Sequence, residues 1–297
     1  MTRNGHGSWT KKGPDKTGPL AFALLRLSRR SDQRRLDRFG HAMLVAGPGS
    51  GKSFTIEDRV AWLLGNGIQP DRLFALSFTN ASARDLRFRI TQYCQSQGQP
   101  GDQVSVTTMH SLAMRMLRAA GLLQRFPVPP IVMDQWELRN IFTEEFCRPL
   151  HITVDRAEKI RRDREAFWST GNFNPPNYIP PNPPITTQER DYLSDFLTRF
   201  EQVYSCILPG EIVRECVDQI RAGVVVPSQL IPIDQLIVDE YQDLNPIDLE
   251  FIDSLITEAR LASLLVMTIK ASTPFALPCH KVFSAFLKLI KTPATIV

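Results

Sequence analysis

The glycine-rich stretch "AGPGSGKS", Ala46 to Ser53, constrains the fold of this chain more than any other feature. It follows the short apolar run "AMLVA" and precedes "FTIEDRVAWLLGNG", which has helical spacing and ends in a glycine stop. A glycine-rich loop between a strand and a helix lets backbone N–H groups surround phosphates at the positive end of the helix. The pattern therefore predicts a P-loop that binds the phosphate chain of a nucleotide.

Each position of this loop has an expected role. Lys52 is expected to reach the β and γ phosphates, and the Ser53 hydroxyl is expected to bind Mg²⁺. Ala46 stands where the strict pattern has its first glycine. The predicted nucleotide-binding residues of the loop are Ala46, Gly47, Pro48, Gly49, Ser50, Gly51, Lys52 and Ser53.

The second informative stretch is "LIVDEYQDLN", Leu236 to Asn245, which places carboxylates directly after a short apolar run. Carboxylates at the end of a buried strand cost free energy unless a cation lies beside them. In a P-loop fold, the Mg²⁺ ion needs an acidic anchor on a neighbouring strand, which Asp239 supplies. Glu240 is then placed to activate the attacking water as a general base. An acidic pair alone is a weak signal, but together with the upstream loop it specifically predicts a nucleotide-hydrolysing site.

The remaining pattern predicts an α/β fold with a central parallel sheet. Asp71 to Phe78 and Gln103 to His110 are strand candidates, and each precedes a segment with helical spacing. Strands that alternate with helices in this way favour a parallel sheet covered on both faces.

The middle of the chain has a different pattern, because four helical segments follow one another without a strand between them. The proline-rich stretch Asn172 to Gln188 interrupts these segments and predicts an irregular loop. We therefore expect residues 128–224 to be a helical insertion between residues 33–127 and 225–260, which together form one α/β domain.

The positive charge of the chain is concentrated in its N-terminal arm. The net charge is +4, yet residues 1–40 contain ten Lys/Arg and three Asp/Glu, a local charge of +7. Residues 1–32 are expected to be a disordered basic arm, either a solvated tail or a contact for nucleic acid. The five cysteines lack metal-ligand spacing, and no apolar stretch approaches the length of a membrane span. We expect a cytoplasmic protein that does not bind membranes.

Several motifs together resemble the superfamily 1A helicases of the UvrD/Rep/PcrA type over roughly residues 33–260. The family's D-E-x-Q-D motif matches Asp239 to Asp243. "FTNASARDLRFR" (Phe78 to Arg89) is similar to the family's F-T-N-x-A-A-x-x-M-x-x-R segment, with Leu86 at the usual methionine. "TTMHSLAMRMLR" (Thr107 to Arg118) is similar to its T-x-H-S-x segment.

The resemblance implies a RecA-like P-loop domain that uses ATP and Mg²⁺ and moves 3′ to 5′ along single-stranded DNA. Gln242 would sense the γ-phosphate, and Gln33 lies near the place of the family's adenine-reading glutamine, although its flanks match poorly. The residues implied to line the DNA track are Thr79, Asn80, His110 and Ser111. Capping of the following helices is an alternative role for Thr79 and His110, and one residue can serve both purposes. The arginine run Arg161 to Glu165 favours a solvated helix face over a duplex contact.

The tail, residues 261–297, lacks the family's next motif, G-D-x-x-Q-S-I-Y, and its arginine finger. Because arginine fingers contribute about 10³ to 10⁵ in turnover, this chain is expected to hydrolyse ATP poorly by itself. Val266 to Pro278 can be back-translated, with only the wobble bases chosen freely, into codons that encode G-D-D-D-Q-S-I-Y-S-F-R-F-A when read one base earlier. We therefore expect the tail to be out of frame and to have little regular structure beyond Arg260. Sequencing the gene would test this expectation.

Two alternatives to an ATP-driven helicase domain follow from the same residues. One is a non-catalytic binder of ATP and single-stranded DNA, and the other is an unrelated P-loop ATPase that carries D-E-x-Q-D. Stimulation of ATP hydrolysis by single-stranded DNA distinguishes the helicase from both. The sequence does not indicate an oligomeric state.

Overall fold

The computed structural model describes residues 41–46, 51–133, 135–173, 179–259, 262–268 and 295–296. The predicted basic arm, Gln33, the loop residues Gly47 to Ser50 and most of the predicted tail lie outside these ranges. Within the described ranges the chain is an α/β protein with a parallel sheet, as the alternation of strands and helices predicts.

The helices and strands follow one another in this order. The strands are β1 (His41–Ala46), β2 (Leu73–Ser77), β3 (Ser105–Thr108), β4 (Ile131–Val132), β5 (Cys206–Ile207), β6 (Gln235–Val238), β7 (Ala262–Thr268) and β8 (Thr295–Ile296). The helices are α1 (Lys52–Gly65), α2 (Asn80–Ser96), α3 (Met109–Ala119), α4 (Gln135–Glu137), α5 (Thr143–Leu150), α6 (Val154–Thr170), α7 (Thr187–Tyr204), α8 (Pro209–Arg221), α9 (Pro227–Leu230) and α10 (Pro246–Ala259). A π-helical turn, Leu138–Phe142, joins α4 to α5. No helix in the described part of the chain has both the length and the apolar composition needed to cross a membrane.

The main sheet has the strand order β3-β2-β6-β7-β1-β8, and every pair in it is parallel. Every residue of β2 and β6 is buried, which is typical of parallel strands covered by helices on both faces. Along β2, Leu73 and Ala75 pack toward α1 and α2, while Phe74 and Leu76 pack toward α3, α8 and α10. The two-residue period of a strand therefore divides one apolar run between two cores.

The helices α4 to α8 make up what we call the helical region (residues 135–221), and α5, α6 and α7 together with the π-helical turn enclose a third core. Four phenylalanines meet there: Phe142 lies 5.3 Å from Phe196 and 5.4 Å from Phe200 between ring centroids, and it also stacks on Phe146. Edge-to-face contacts of this kind add about 0.5–1.5 kcal/mol per pair to the burial of the rings. The helical segments that the spacing predicts are present as α5 to α8.

The last helix of this region, α8, packs differently from the others. Its residues Ile212, Val213 and Cys216 are buried in the same core as Phe74 and Leu236 of the sheet. The predicted insertion boundaries of 128–224 therefore include a helix that also covers the sheet.

Strand β7 corrects the expectation of little regular structure beyond Arg260. Residues 262–268 lie between β6 and β1, with Ala262 opposite Gln235 and Thr268 opposite Ala46. The largely apolar sequence of this strand, "ASLLVMT", is typical of a central strand in a parallel sheet. The residues between β7 and β8 lie outside the described ranges.

Candidate functional site

Four strands of the sheet end at the same side, because β1, β2, β3 and β6 run parallel. We call this side the strand-end edge; it comprises the residues that directly follow these strands. In open parallel sheets, ligands bind at the carboxyl ends of the strands. The predicted site residues of the described ranges all lie along this edge, since Lys52 and Ser53 begin α1, Thr79 follows β2, His110 follows β3 and Asp239 follows β6.

Helix α1 begins with a residue in the left-handed backbone region. Gly51 is the N-cap with φ 85°, and a Cβ there would meet no atom within 4 Å, so backbone conformation and not space requires glycine. The first turn of α1 contains no acidic residue that would offset the positive end of the helix dipole. The start of α1, with Lys52 and Ser53, is therefore suited to anions.

An ion pair joins this helix to the end of β6. Lys52 Nζ lies 3.2 Å from Glu240 Oε1, although the two residues are 188 positions apart in the chain. Gln242 Nε2 donates a hydrogen bond to Glu240 Oε2, so each carboxylate oxygen of Glu240 has a partner. Gln242 itself is buried. Three residues that the sequence analysis assigns to catalysis thus form one hydrogen-bonded group.

Asp239 and Glu240 differ in backbone conformation, because Asp239 continues the strand and Glu240 turns away from it. The Asp239 N–H donates to the Leu76 carbonyl at 2.9 Å, which continues the β2–β6 ladder, and Asp239 Oδ1 accepts from the Glu240 N–H at 2.9 Å. Glu240 has φ 52°, a left-handed conformation that costs a non-glycine residue about 1–3 kcal/mol. Strain of this kind concentrates at functional sites, where the surrounding structure maintains it.

Burial raises the pKa of Asp239 above its ordinary value, and the neighbouring charge of Glu240 raises it further. The Glu240 N–H and the positive charges of Lys52 and Arg89 oppose this shift. A partly buried carboxylate whose charged form is disfavoured gains from a bound cation. Asp239 therefore has the environment of a cation ligand.

The predicted DNA-track residues divide into two groups. Asn80 and Ser111 line a cleft of about 400 Å³ between α2 and α3 at the strand-end edge. Thr79 accepts from the Ser82 N–H at 3.0 Å and forms a capping box at the start of α2. His110 lies in the first turn of α3, where burial lowers the pKa of its imidazole.

The capping alternative has a mixed outcome. Thr79 does cap its helix, but the N-cap of α3 is Thr108, whose hydroxyl accepts from the Ser111 N–H at 3.2 Å. His110 is therefore not the cap of α3. Because the cap uses the hydroxyl oxygen of Thr79 as an acceptor, its O–H, which lies 2.7 Å from Ser82 Oγ, can turn to donate to a phosphate oxygen.

The same cleft contains residues that the sequence analysis missed. Arg84 and Arg87 line it together with Asn80, and the three positions have the i, i+4, i+7 spacing of one helix face. That spacing is readable in the sequence and would have identified them. Arg87 donates to the Val106 carbonyl, whereas Arg84 donates to the Asn80 carbonyl and is exposed. Phe78, just before Thr79, is 45% exposed.

Comparisons with known proteins concern the family of the chain. Residues 30–174 match the UvrD/REP helicase N-terminal domain. The chain is similar to DNA helicase II of Haemophilus influenzae, with 26% identity over 247 residues that make up 76% of this chain and 31% of that protein. It is also similar to DNA helicase II of Salmonella typhimurium, with 32% identity over 128 residues (42% of this chain, 16% of that protein).

A third relative is the ATP-dependent DNA helicase PcrA of Bacillus subtilis, which is 34% identical over 80 residues, or 27% of this chain and 10% of that protein. The matched regions therefore span 31% or less of the length of these three relatives.

Proposed function

Because this chain belongs to the UvrD/REP helicases, whose N-terminal domain matches residues 30–174, we propose that it binds ATP with Mg²⁺ and couples ATP hydrolysis to 3′-to-5′ movement on single-stranded DNA. The described sheet is then a RecA-like domain, and the helical region belongs to an insertion in it. The activity of the whole enzyme is part of the proposal, since the chain spans less than a third of the relatives it matches.

The residues at the strand-end edge fit a magnesium nucleotide. Ser53 and Asp239 would hold the ion through oxygen atoms, which Mg²⁺ prefers, with phosphate oxygens and water completing its shell. The raised pKa of Asp239 supports this assignment, because a buried carboxylate without a cation is costly. Bound Mg²⁺ supplies positive charge that neutralises the phosphate oxygens during transfer.

Lys52 and Glu240 have complementary roles in the proposed reaction. Lys52 pairs with Glu240 and would exchange this partner for the β and γ phosphates of ATP. Glu240, still held at Oε2 by Gln242, would then accept a proton from the attacking water. Gln242 would link the occupancy of the γ-phosphate position to the rest of the strand-end edge.

The proposed DNA contacts are the residues around the α2–α3 cleft. Short polar side chains such as Thr79, Asn80 and Ser111 can contact phosphate and sugar without reading sequence, which a translocating motor needs. Arg84 adds a positive charge at the cleft, and the exposed ring of Phe78 offers a face on which a base can stack. His110 lies in the first turn of α3, next to Ser111 in the chain. Binding should therefore prefer single strands and weaken steeply with salt.

The observation that carries the proposal is the 3.2 Å contact between Lys52 and Glu240. Lys52→Ala should lower ATP affinity by about 100-fold or more while the fold remains intact, because it removes a charge-assisted contact to the phosphates. Titration calorimetry with ATP and Mg²⁺ measures this, with Lys159→Ala on α6 as a matched control that should bind like wild type. Equal affinities in wild type and Lys52→Ala would refute the site.

The second part of the experiment measures ATP hydrolysis with and without oligo-dT, because stimulation distinguishes the helicase proposal from the two alternatives. ATP binding with no hydrolysis above background in either condition would favour a non-catalytic binder, because the helicase proposal expects hydrolysis that is slow but still stimulated by oligo-dT. Hydrolysis that oligo-dT does not change would favour an unrelated P-loop ATPase.

A further inference from the structure

A groove of about 360 Å³ lies between α5 and α7 in the helical region, away from the strand-end edge. Phe196 and Phe200 form its floor, and both belong to the aromatic core described above. Val203 and Tyr204 form its outer wall and are 72% and 43% exposed. Apolar side chains therefore continue from the core of this region to its surface.

Tyr204 keeps this wall in place. Its ring centroid lies 4.5 Å from that of Phe200, and its hydroxyl donates to Glu145 on α5. The polar end of the tyrosine is thus satisfied within the chain, while its ring remains open to solvent. A monomer gains nothing from leaving such apolar surface exposed, and exposed apolar grooves typically mark interaction sites.

The charged side chains that line the groove are mostly positive. Arg148 on α5 and Arg199 on α7 line it, and neither forms an ion pair with any described residue. Most other cations of α6 and α7 do form such pairs, namely Arg156, Lys159, Arg161, Arg162 and Arg190. Among the described residues that line the groove, Glu145 is the carboxylate, and it accepts a hydrogen bond from the Tyr204 hydroxyl. Two arginines next to an apolar surface match a ligand that carries carboxylates beside an apolar group.

We propose that this groove binds a segment of a protein partner in which a large apolar side chain is flanked by Asp or Glu. The apolar side chain would lie on Phe200 and against Val203, and the carboxylates would pair with Arg148 and Arg199. A nucleic acid fits less well, because Phe196 and Phe200 are only 8% and 5% exposed, so of these three aromatic residues only Tyr204 offers an open ring to a base, whereas an apolar side chain can fill the groove itself. This site is independent of the proposed ATP and DNA contacts.

The test starts from a phage-displayed library of random peptides selected on the full chain. Selection is repeated against the double variant Arg199→Glu/Val203→Glu, and only peptides that need the wild-type groove are kept. Both positions are exposed, so the fold should persist, which thermal unfolding verifies. The retained peptides should be acidic around an aromatic or leucine anchor, and fluorescence polarisation should show their Kd rising by about tenfold or more in the double variant.

Arg162→Glu provides the matched control, because it makes the same charge reversal on the exposed face of α6 outside the groove. It should leave the Kd of the peptide unchanged. Retained peptides without acidic enrichment, no retained peptide, or equal weakening by Arg162→Glu would each overturn the proposal.

Two further measurements distinguish other occupants. Labelled oligo-dT should bind wild type and the double variant equally; a parallel loss of oligo-dT binding would assign the groove to nucleic acid and overturn the proposal. Sedimentation velocity should show the same association state for both proteins. Self-association that only the double variant loses would assign the groove to a second copy of this chain and overturn it as well.

Discussion

The helical region and the strand-end edge use charged residues in opposite ways. In the helical region, the buried Asp163 accepts hydrogen bonds from Arg190 at 2.8 and 3.0 Å, and Arg156 donates twice to Glu189 at 2.7 Å. These pairs join α6 to α7 around an aromatic core. At the strand-end edge, the charges of Lys52 and Glu240 meet at 3.2 Å beside the strained backbone of Glu240.

The difference separates charges that hold the chain together from charges that a ligand can take over. A buried carboxylate with a bidentate arginine is expensive to break, since removing one partner leaves a buried charge. A lysine at the start of a helix, facing a glutamate across the sheet edge, can exchange that partner for phosphate at little cost. We therefore interpret the helical region as structural support, and the strand-end edge remains the proposed site of chemistry.

The substitution with the largest expected effect destabilises the helical region and leaves the strand-end edge unchanged. Phe142→Ala should lower the free energy of unfolding by about 3–5 kcal/mol, because Phe142 is 1% exposed and packs on three other rings. Urea denaturation measures the loss. ATP affinity at low temperature should stay within about twofold, since the ring lies outside the site; a large loss of ATP affinity would mean that the two regions do not act separately.

The next substitution removes the proposed general base at the strand-end edge and leaves the helical region unchanged. Glu240→Gln should slow hydrolysis in the presence of oligo-dT by about 10² to 10⁴, because the amide cannot accept the proton of water. ATP binding should persist. Single-turnover hydrolysis and calorimetry on the same preparation separate the two quantities, and an unchanged rate would exclude Glu240 as the general base.

A prediction with a smaller expected effect rests on a comparison of two buried carboxylates, Asp163 and Asp248. Asp163 has Arg190, whereas Asp248 has no ion-pair partner in the part of the chain that the structure describes, and burial raises the pKa of Asp248 to about 6. The hydrogen bond from the Asn245 N–H opposes this shift. Because the folded state binds this proton more tightly than the unfolded chain, with its pKa near 3.9, Asp248 removes stability as pH rises from about 4 to about 6.

Asp248→Asn should therefore be more stable than wild type by about 1–3 kcal/mol at pH 8, and this advantage should disappear near pH 4. Denaturation at several pH values measures the difference. An advantage that is constant with pH would show that the charge of Asp248 is not its source.

The smallest effect uses the two capping boxes as a matched pair. Thr79 caps α2 with Ser82, and Thr186 caps α7 with Glu189. Each threonine-to-alanine change should cost about 0.5–2 kcal/mol of stability. Only Thr79→Ala should also weaken oligo-dT binding, and equal DNA binding by both variants would mean that Thr79 is a cap alone.

Much of the fold could be predicted from local patterns. The alternation of apolar strands with helical segments indicated the parallel sheet, and the helical spacing indicated α5 to α8. Gly51, which has the left-handed conformation just before α1, is the glycine that ends the motif "GPGSG". Strand β7 was missed, because its apolar letters alone do not distinguish a strand from an unpacked tail.

The candidate site could be predicted in part. The sequence named Lys52, Asp239 and Glu240, because phosphate and metal chemistry demand these residue types after a glycine-rich loop and a buried strand, and the family resemblance added Gln242. Their roles remain predictions. Arg84 and Arg87 were missed because a motif match compares residues one position at a time and does not use the i, i+4, i+7 spacing that places both on one face of α2 with Asn80.

The sequence by itself determined which residues can bind phosphate, cap a helix or fill a strand, because these properties depend on neighbours within a few positions. Only the tertiary structure decided that Lys52 meets Glu240 across 188 residues, that α8 covers the sheet, and that Arg148 and Arg199 share one groove. The physical reason is that such contacts depend on the strand order and on how the helices pack, and neither is encoded in the local period of the chain.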